Sequence, residues 1–188
     1  MTVEIIYETH SISTDNEAGI ATGWLPGRLS TEGRRLAAEL GARHREHPVA
    51  SVFVSDLARA VETAKIAFGD SGIPIIQDAR LRECNYGLLN GMPIERIAVE
   101  RARHIDEPFP QGQSYRQVVD QTRDFLRDLA ASWDGSRIVI VAHSANRWAV
   151  QHLLDGAALE DLVDASFSWQ PGWRFTLPTG WDGTEPAP

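Results

Sequence analysis

The chain has 188 residues, 43% hydrophobic and 23% charged, which suits one domain able to bury a stable core. Its formal net charge of −8 argues against nucleic-acid and anionic-membrane partners, since both want a basic footprint. The lone cysteine, Cys84, excludes an intrachain disulfide and a cysteine-based metal site.

The amino end, Met1-Thr2-Val3-Glu4, shows no basic and then apolar leader, and no stretch approaches the roughly 18–20 apolar residues of a spanning helix, so a cytoplasmic protein is expected. Residues 3–8 form a strand-like β-branched and aromatic run that ends at Thr9-His10-Ser11. Loop 11–29 carries turn residues at Asp15-Asn16, Gly23 and Pro26-Gly27. Ser30 caps a predicted helix to about residue 44, with Leu36, Ala37, Leu40 and Gly41 inward. A strand over 50–54 precedes a helix over 56–68, where Leu57, Ala60, Val61, Ala64 and Phe68 keep the 3.6 period. A short strand over 73–76 leads to an irregular stretch, 84–112, that reads as a lid or insertion. A helix over 113–133, a strand over 137–142 ending at His143-Ser144, a helix over 145–154 and a strand over 173–177 follow. The tail, 179–188, rich in Gly, Pro and acids, is expected to be flexible. This alternation predicts an α/β fold: one domain of three layers, a mostly parallel central sheet with helices on both faces.

Two of these strands run out into a histidine. In open α/β sheets ligands bind outside the carboxyl ends of the strands, so His10 and His143 on adjacent parallel strands would share one rim. Neutral imidazole is a nucleophile and a pH-tuned acid or base. Either histidine alone could be structural; the case rests on what converges with it. Arg59 lies in the first turn of the helix after the second strand, at a rim where helix N-termini attract anions. It offers two fixed donors to phosphate or carboxylate, or else pairs with Glu62 in solvent. Glu83 is a general acid or base if burial lifts its pKa, and a surface acid otherwise. Asn16 either donates to an anion or shapes a turn. His44, His47, His104 and His152 are expected on the surface or in packing, without partners, and Cys84 as a buried inert thiol. Trp24, Tyr86 and Tyr115 wall a pocket or pack. The Trp-rich stretch 167–173 offers a homodimer interface or a cap on the sheet.

Four blocks in this order carry a resemblance: the early strand-His, then Ser55-x-Leu57-x-Arg59-Ala60-x-x-Thr63-Ala64, then Leu81-Arg82-Glu83, then the late strand-His. Together they resemble the histidine phosphatase superfamily, also called phosphoglycerate-mutase-like, over nearly the whole chain. The resemblance implies that His10 attacks phosphorus in line and becomes a phosphohistidine. Arg59, His143 and the adjacent helix N-terminus would hold the equatorial oxygens, assisted by Asn16, Ser11 and Ser144. Glu83 would protonate the leaving oxygen and then take a proton from water. No metal and no other cofactor is implied. The partner is a small-molecule phosphate monoester, with organic bulk to match an apolar lid of Leu88, Leu89, Met92, Pro93, Ile94 and Ile97.

The chain also departs from the family. Thr9-His10-Ser11 stands where Arg-His-Gly is usual, Ser144 where Gly usually follows the second His, and Pro110-Gln111-Gly112-Gln113-Ser114 where Pro-x-Gly-Glu-Ser is usual. Thr9 leaves one cation of the phosphate pocket missing, and Arg147 or Arg28 is expected to replace it. Two rivals stand beside the phosphatase. A mutase would return the phosphoryl group to a second hydroxyl; the short stretch after Glu83 favours hydrolysis. A non-catalytic binder of phosphorylated ligands would explain Thr9, but not the joint presence of His10, Arg59, Glu83 and His143.

Overall fold

In β1 (Thr2–Thr9) the side chains part by alternation: Val3, Ile5 and Tyr7 join one buried cluster, while Ile6 joins another on the opposite face, with Glu8 beside it. The fold that uses both faces is described, in a computed structural model, for residues 1–186. After β1 come α1 (Thr14–Glu17), β2 (Ile20–Ala21), α2 (Thr31–His44), β3 (Ser51–Val54), α3 (Ala58–Phe68) and β4 (Ile75–Gln77). Then follow β5 (Met92–Pro93), α4 (Ile94–Ala98), α5 (Tyr115–Ser132), β6 (Arg137–Ala142), α6 (Ser144–Asp155), α7 (Leu159–Asp164) and β7 (Trp173–Pro178).

The main sheet has the order β4-β3-β6-β1-β7, parallel throughout except for antiparallel β7. Central β6 is buried on both faces and accordingly reads as the unbroken apolar run Ile138-Val139-Ile140-Val141-Ala142. Edge strand β7 instead alternates, burying Trp173, Phe175 and Leu177 and exposing Arg174, Thr176 and Pro178. On one face Leu40 of α2 and Ala60, Ala64 and Phe68 of α3 pack against Ile6, Val52, Val54, Val139 and Val141. On the other, Phe125, Leu126 and Leu129 of α5 and Trp148, Ala149 and Leu153 of α6 close over Ile5, Tyr7, Phe53, Ile138 and Ile140. This is the three-layer, mostly parallel architecture expected.

The caps are local. Ser30 Oγ accepts from Gly33 N–H at the start of α2, and Ser114 and Gln117 form a reciprocal capping box at the start of α5. The β4 strand is displaced to Ile75–Gln77 from the expected 73–76. Four short elements carry no periodic pattern long enough to read: α1, the β2–β5 ladder, α4 and α7. The tail, expected to be flexible, makes contacts with the body of the fold. Trp181 packs on the core, Arg123 pairs with Glu185 at 2.7 Å and Arg127 Nε donates to the Asp182 carbonyl; residues 187–188 lie outside the described residues. No helix among the described residues is long and apolar enough to cross a membrane.

Candidate active site

Register brings the two histidines together. Thr9 is paired with Ala142 across β1 and β6, and His10 N–H donates to the Ala142 carbonyl at 2.8 Å, so both strands run out at the same height. The imidazole centroids are 5.1 Å apart. His10 Nδ1–H donates to the Ser11 carbonyl at 2.7 Å, which leaves the Nε2 lone pair as the free end of the ring. Ser11 is itself held, its N–H by Thr63 Oγ1 and its hydroxyl donating to the Gly33 carbonyl at 2.7 Å. Gly33 is required there: a Cβ would stand 1.8 Å from the Ile12 carbonyl oxygen, so only glycine lets α2 approach the His10 loop.

Arg59 is the hub. Its Nε–H donates to His10 Nε2 at 3.2 Å, while Nη2 donates to the Gly23 carbonyl at 3.0 Å and reaches His143 Nδ1 at 3.3 Å. Glu62, its alternative partner by sequence, instead accepts from Arg34 and from Leu29 N–H. Gly23 has φ +55, and a Cβ there would collide with Asn90 Oδ1. Burial first, and the Arg59 guanidinium second, push His10 down from 6.5 to about 3, against the opposing pull of the Ser11 carbonyl. The nucleophile candidate is therefore neutral at physiological pH. His143 is pushed down too, by burial, then Arg59, then His10.

Glu83 stands across from these cations. Burial raises its pKa above the ordinary carboxylate value, opposed by bonds from Cys84 N–H at 2.8 Å and Ala145 N–H at 3.3 Å and by the charge of Arg59. Trp24 Nε1–H fixes its backbone carbonyl at 2.6 Å; the indole lies under Arg82, which is doubly bonded to Asp56. A cavity of about 510 Å³ opens here, lined by Thr9, His10, Ser11, Asn16, Arg59, Glu83 and Ser144. Tyr86, Ile94, Arg101, Trp148, Leu36, Leu40, Arg43, Phe167 and Trp169 also line it. Among the described residues no group of three or more His, Cys, Asp or Glu side chains is arranged to hold a metal ion.

The geometry departs from the sequence reading at several residues. His143, expected to face the phosphate, is fully buried behind Arg59 and does not line the cavity. Because arginine only donates, Nδ1 accepts and Nε2–H goes to Ser55 Oγ at 2.9 Å; Tyr7 clamps the His143 backbone at both N–H and C=O. Arg147 is turned away: its guanidinium lies 4.6 Å over Trp173 and donates to Gln151, outside the cavity. Arg28 is exposed and lines no part of it. Asn16 does line the cavity, but its carbonyl oxygen is taken by the Ser13 N–H and hydroxyl in the capping box of α1. His44 and His104 are buried with partners, Glu8 and Glu100 respectively, and His104 stacks on Phe109. Cys84 is buried as expected, and its thiol is pushed up. Arg43 and Arg101, which no motif marks, are cations on the cavity wall that the sequence did not offer; Arg43 faces Glu8 at 3.4 Å, and Arg101 stands in the irregular stretch.

Residues 9–168 match the family described as the histidine phosphatase superfamily (branch 1). Phosphoglycerate mutase 1 of Saccharomyces cerevisiae is 26% identical over 218 aligned positions, covering 94% of this chain and 84% of the mutase. The probable phosphoglycerate mutase GpmB of Escherichia coli K12 is 29% identical over 123 positions, and the alignment covers 61% of this chain and 57% of that protein. Among solved structures, Bacillus stearothermophilus YhfR superposes with a TM-score of 0.80 at 25% identity, over 90% of this chain and 88% of that one. A mycobacterial glucosyl-3-phosphoglycerate phosphatase shares the fold at 21% identity, with a TM-score of 0.74 over 87% and 84% of the two chains. The family match takes in every rim residue from His10 to His143, and on it the chain belongs to branch 1 of the histidine phosphatase superfamily.

Proposed function

We propose that this protein hydrolyses a small organic phosphate monoester through a phosphohistidine at His10, without a metal ion. The observation that carries the reading is a neutral imidazole whose Nε2 accepts from the Arg59 guanidinium at 3.2 Å, beside a carboxyl whose pKa is raised. A phosphoryl oxygen would take over the Arg59 Nε–H, releasing the lone pair for attack. Nε2 then bonds to phosphorus as the bond to the ester oxygen breaks, and protonated Glu83 gives that oxygen its proton. Glu83, now a carboxylate, takes a proton from the incoming water, whose oxygen displaces His10 and yields inorganic phosphate. His143 acts as a positioning residue, holding Nη2 of Arg59, and Ser144 at the start of α6 lines the same cavity. Ser11 acts through its backbone, since its hydroxyl is bonded to Gly33.

Mutase chemistry is the second reading, favoured by the named relatives. The yeast mutase alignment runs to 218 positions against 188 residues here, so the mutase carries insertions that this chain lacks. That difference supports water as the acceptor. The test is turnover of para-nitrophenyl phosphate and then of a panel of alkyl phosphates in EDTA, with His10→Ala alongside. Phosphate release by the wild type alone supports the hydrolase. Isomerised ester without phosphate release would establish a mutase, and silence from folded protein would leave a binder.

A further inference from the structure

Thr9 lines the cavity beside His10 and brings no cation to it, and neither Arg147 nor Arg28, the substitutes that the sequence offered, is among the lining residues. Arg101 does line the cavity, from the first position of the 3-10 turn Arg101–His104. Its guanidinium lies 5.3 Å over the ring of Trp148, which itself lines the cavity one turn beyond Ser144 at the start of α6. That places the cation on the Glu83 and α6 side of the cavity, near enough to Glu83 to draw on its carboxyl.

Among the described residues Arg101 makes no ion pair and no side-chain hydrogen bond, and its Nε is buried without a partner. Neighbouring arginines do find acids: Arg96 pairs with Glu100 at 2.7 Å and Arg103 with Glu107 at 3.2 Å. A buried donor without an acceptor costs free energy that a bound anion would return. Arg59 shows the same signature at Nη1. Arg123 and Arg147 also have an unpartnered Nε but do not line the cavity, so it is the place of Arg101 on the cavity wall that gives its orphan donor a ligand to meet. The backbone that carries Arg101 is fixed. His104, in the same turn, stacks on Phe109 at 3.9 Å, gives Nδ1 to the Glu107 carbonyl at 2.9 Å and reaches Glu100 through Nε2. Phe109 in turn packs edge-on against Tyr86 and Tyr115.

We propose that Arg101 supplies the second guanidinium for the phosphoryl group, so that the cation absent at Thr9 comes from the irregular stretch between Glu83 and α5. Two guanidinium ions, Arg59 and Arg101, then face a phosphoryl dianion from two walls of the cavity, which fits its charge and offers forked donors to separate oxygens. The proposal rests on the hydrolase reading only in taking a phosphoryl group as the ligand.

The test compares wild type with Arg101→Met and Arg101→Lys, both of which keep an alkyl stem over Trp148, and checks each fold by its melting curve. Inhibition by inorganic phosphate, phosphate-induced thermal stabilisation, and kcat/KM on phenyl phosphate and on 3-phosphoglycerate are measured for all three. Loss of one charge-assisted contact should weaken phosphate binding roughly tenfold to a hundredfold in Arg101→Met. Both esters should lose kcat/KM by similar factors, with Arg101→Lys in between. Unchanged phosphate binding would overturn the proposal, and so would a loss confined to 3-phosphoglycerate, which would put Arg101 on the leaving group's carboxylate. If the wild type turns over no ester yet is stabilised by phosphate in an Arg101-dependent way, the proposal stands and the hydrolase reading falls. If the wild type hydrolyses esters and Arg101→Met does so equally well, the reverse holds.

Discussion

A neutral nucleophile buried beside a guanidinium leaves a signature in folding stability as well as in rate. His10 titrates near 6.5 in the unfolded chain and at about 3 in the folded protein, so between those values the unfolded state binds the extra proton. Stability is therefore full above pH 6.5 and is lost progressively as the pH falls towards 3. At about 1.4 kcal/mol per pKa unit, the whole loss is about 5 kcal/mol, of which about 2 kcal/mol falls between pH 7 and pH 5. The perturbation is His10→Asn, whose side-chain amide can keep the bond to the Ser11 carbonyl while removing the titrating ring. Urea unfolding of both proteins at pH 7, 6 and 5 gives two curves of stability against pH. The carboxylates contribute to both and cancel in the difference, which therefore reads His10 together with its coupling to the neighbouring His143 ring. Wild type should lose about 2 kcal/mol more than the variant over that interval. Parallel curves would refute the reasoning, because they would mean that His10 titrates alike in folded and unfolded chains.

The same ionisations shape turnover. For an alkyl ester, kcat should show no rising limb near pH 6.5, since His10 stays neutral to about 3, and should fall with rising pH as Glu83 loses its proton; a kcat rising with a midpoint near 6.5 would contradict this. Glu83→Gln should cost roughly 10²–10⁴ in kcat on alkyl phosphates and much less on para-nitrophenyl phosphate, whose leaving group needs no proton; equal losses on both would remove Glu83 as the proton donor. Gly33→Ala should destabilise the protein by roughly 1–3 kcal/mol, seen as a drop of several degrees in Tm, because its Cβ would meet the Ile12 backbone at 1.8 Å. An unchanged Tm would show that the approach of α2 to the His10 loop is slack.

What could be read from the sequence follows from length and period. Ile5-Ile6-Tyr7 and Ile138-Val139-Ile140-Val141 are strands by composition alone, and parallel pairing at the same height then places His10 and His143 together. Arg59 follows from its position in a first helical turn after a strand. The orientation of a ring does not. Whether His143 faces the ligand or Arg59 depends on Ser55 and Tyr7, far away in sequence, whose hydroxyls fix it. Arg147 departs from the expectation for a related reason. It sits in the first turn of α6, but that helix is packed so that position 147 meets Trp173 of the edge strand. Arg101 was invisible because its stretch is built from a two-residue ladder and single turns, which leave no periodic trace. The Tyr86, His104 and Phe109 stack that holds it is a tertiary fact.

The central claim is a covalent phosphoryl group on His10, and rapid acid-free quenching of the enzyme with a ³²P-labelled monoester tests it most directly. The account predicts label that is stable to alkali and lost in acid, recovered on the peptide that contains His10 and absent from His10→Ala. Label on any other residue, or wild-type turnover with no label at any quench time while His10→Ala retains activity, would contradict it.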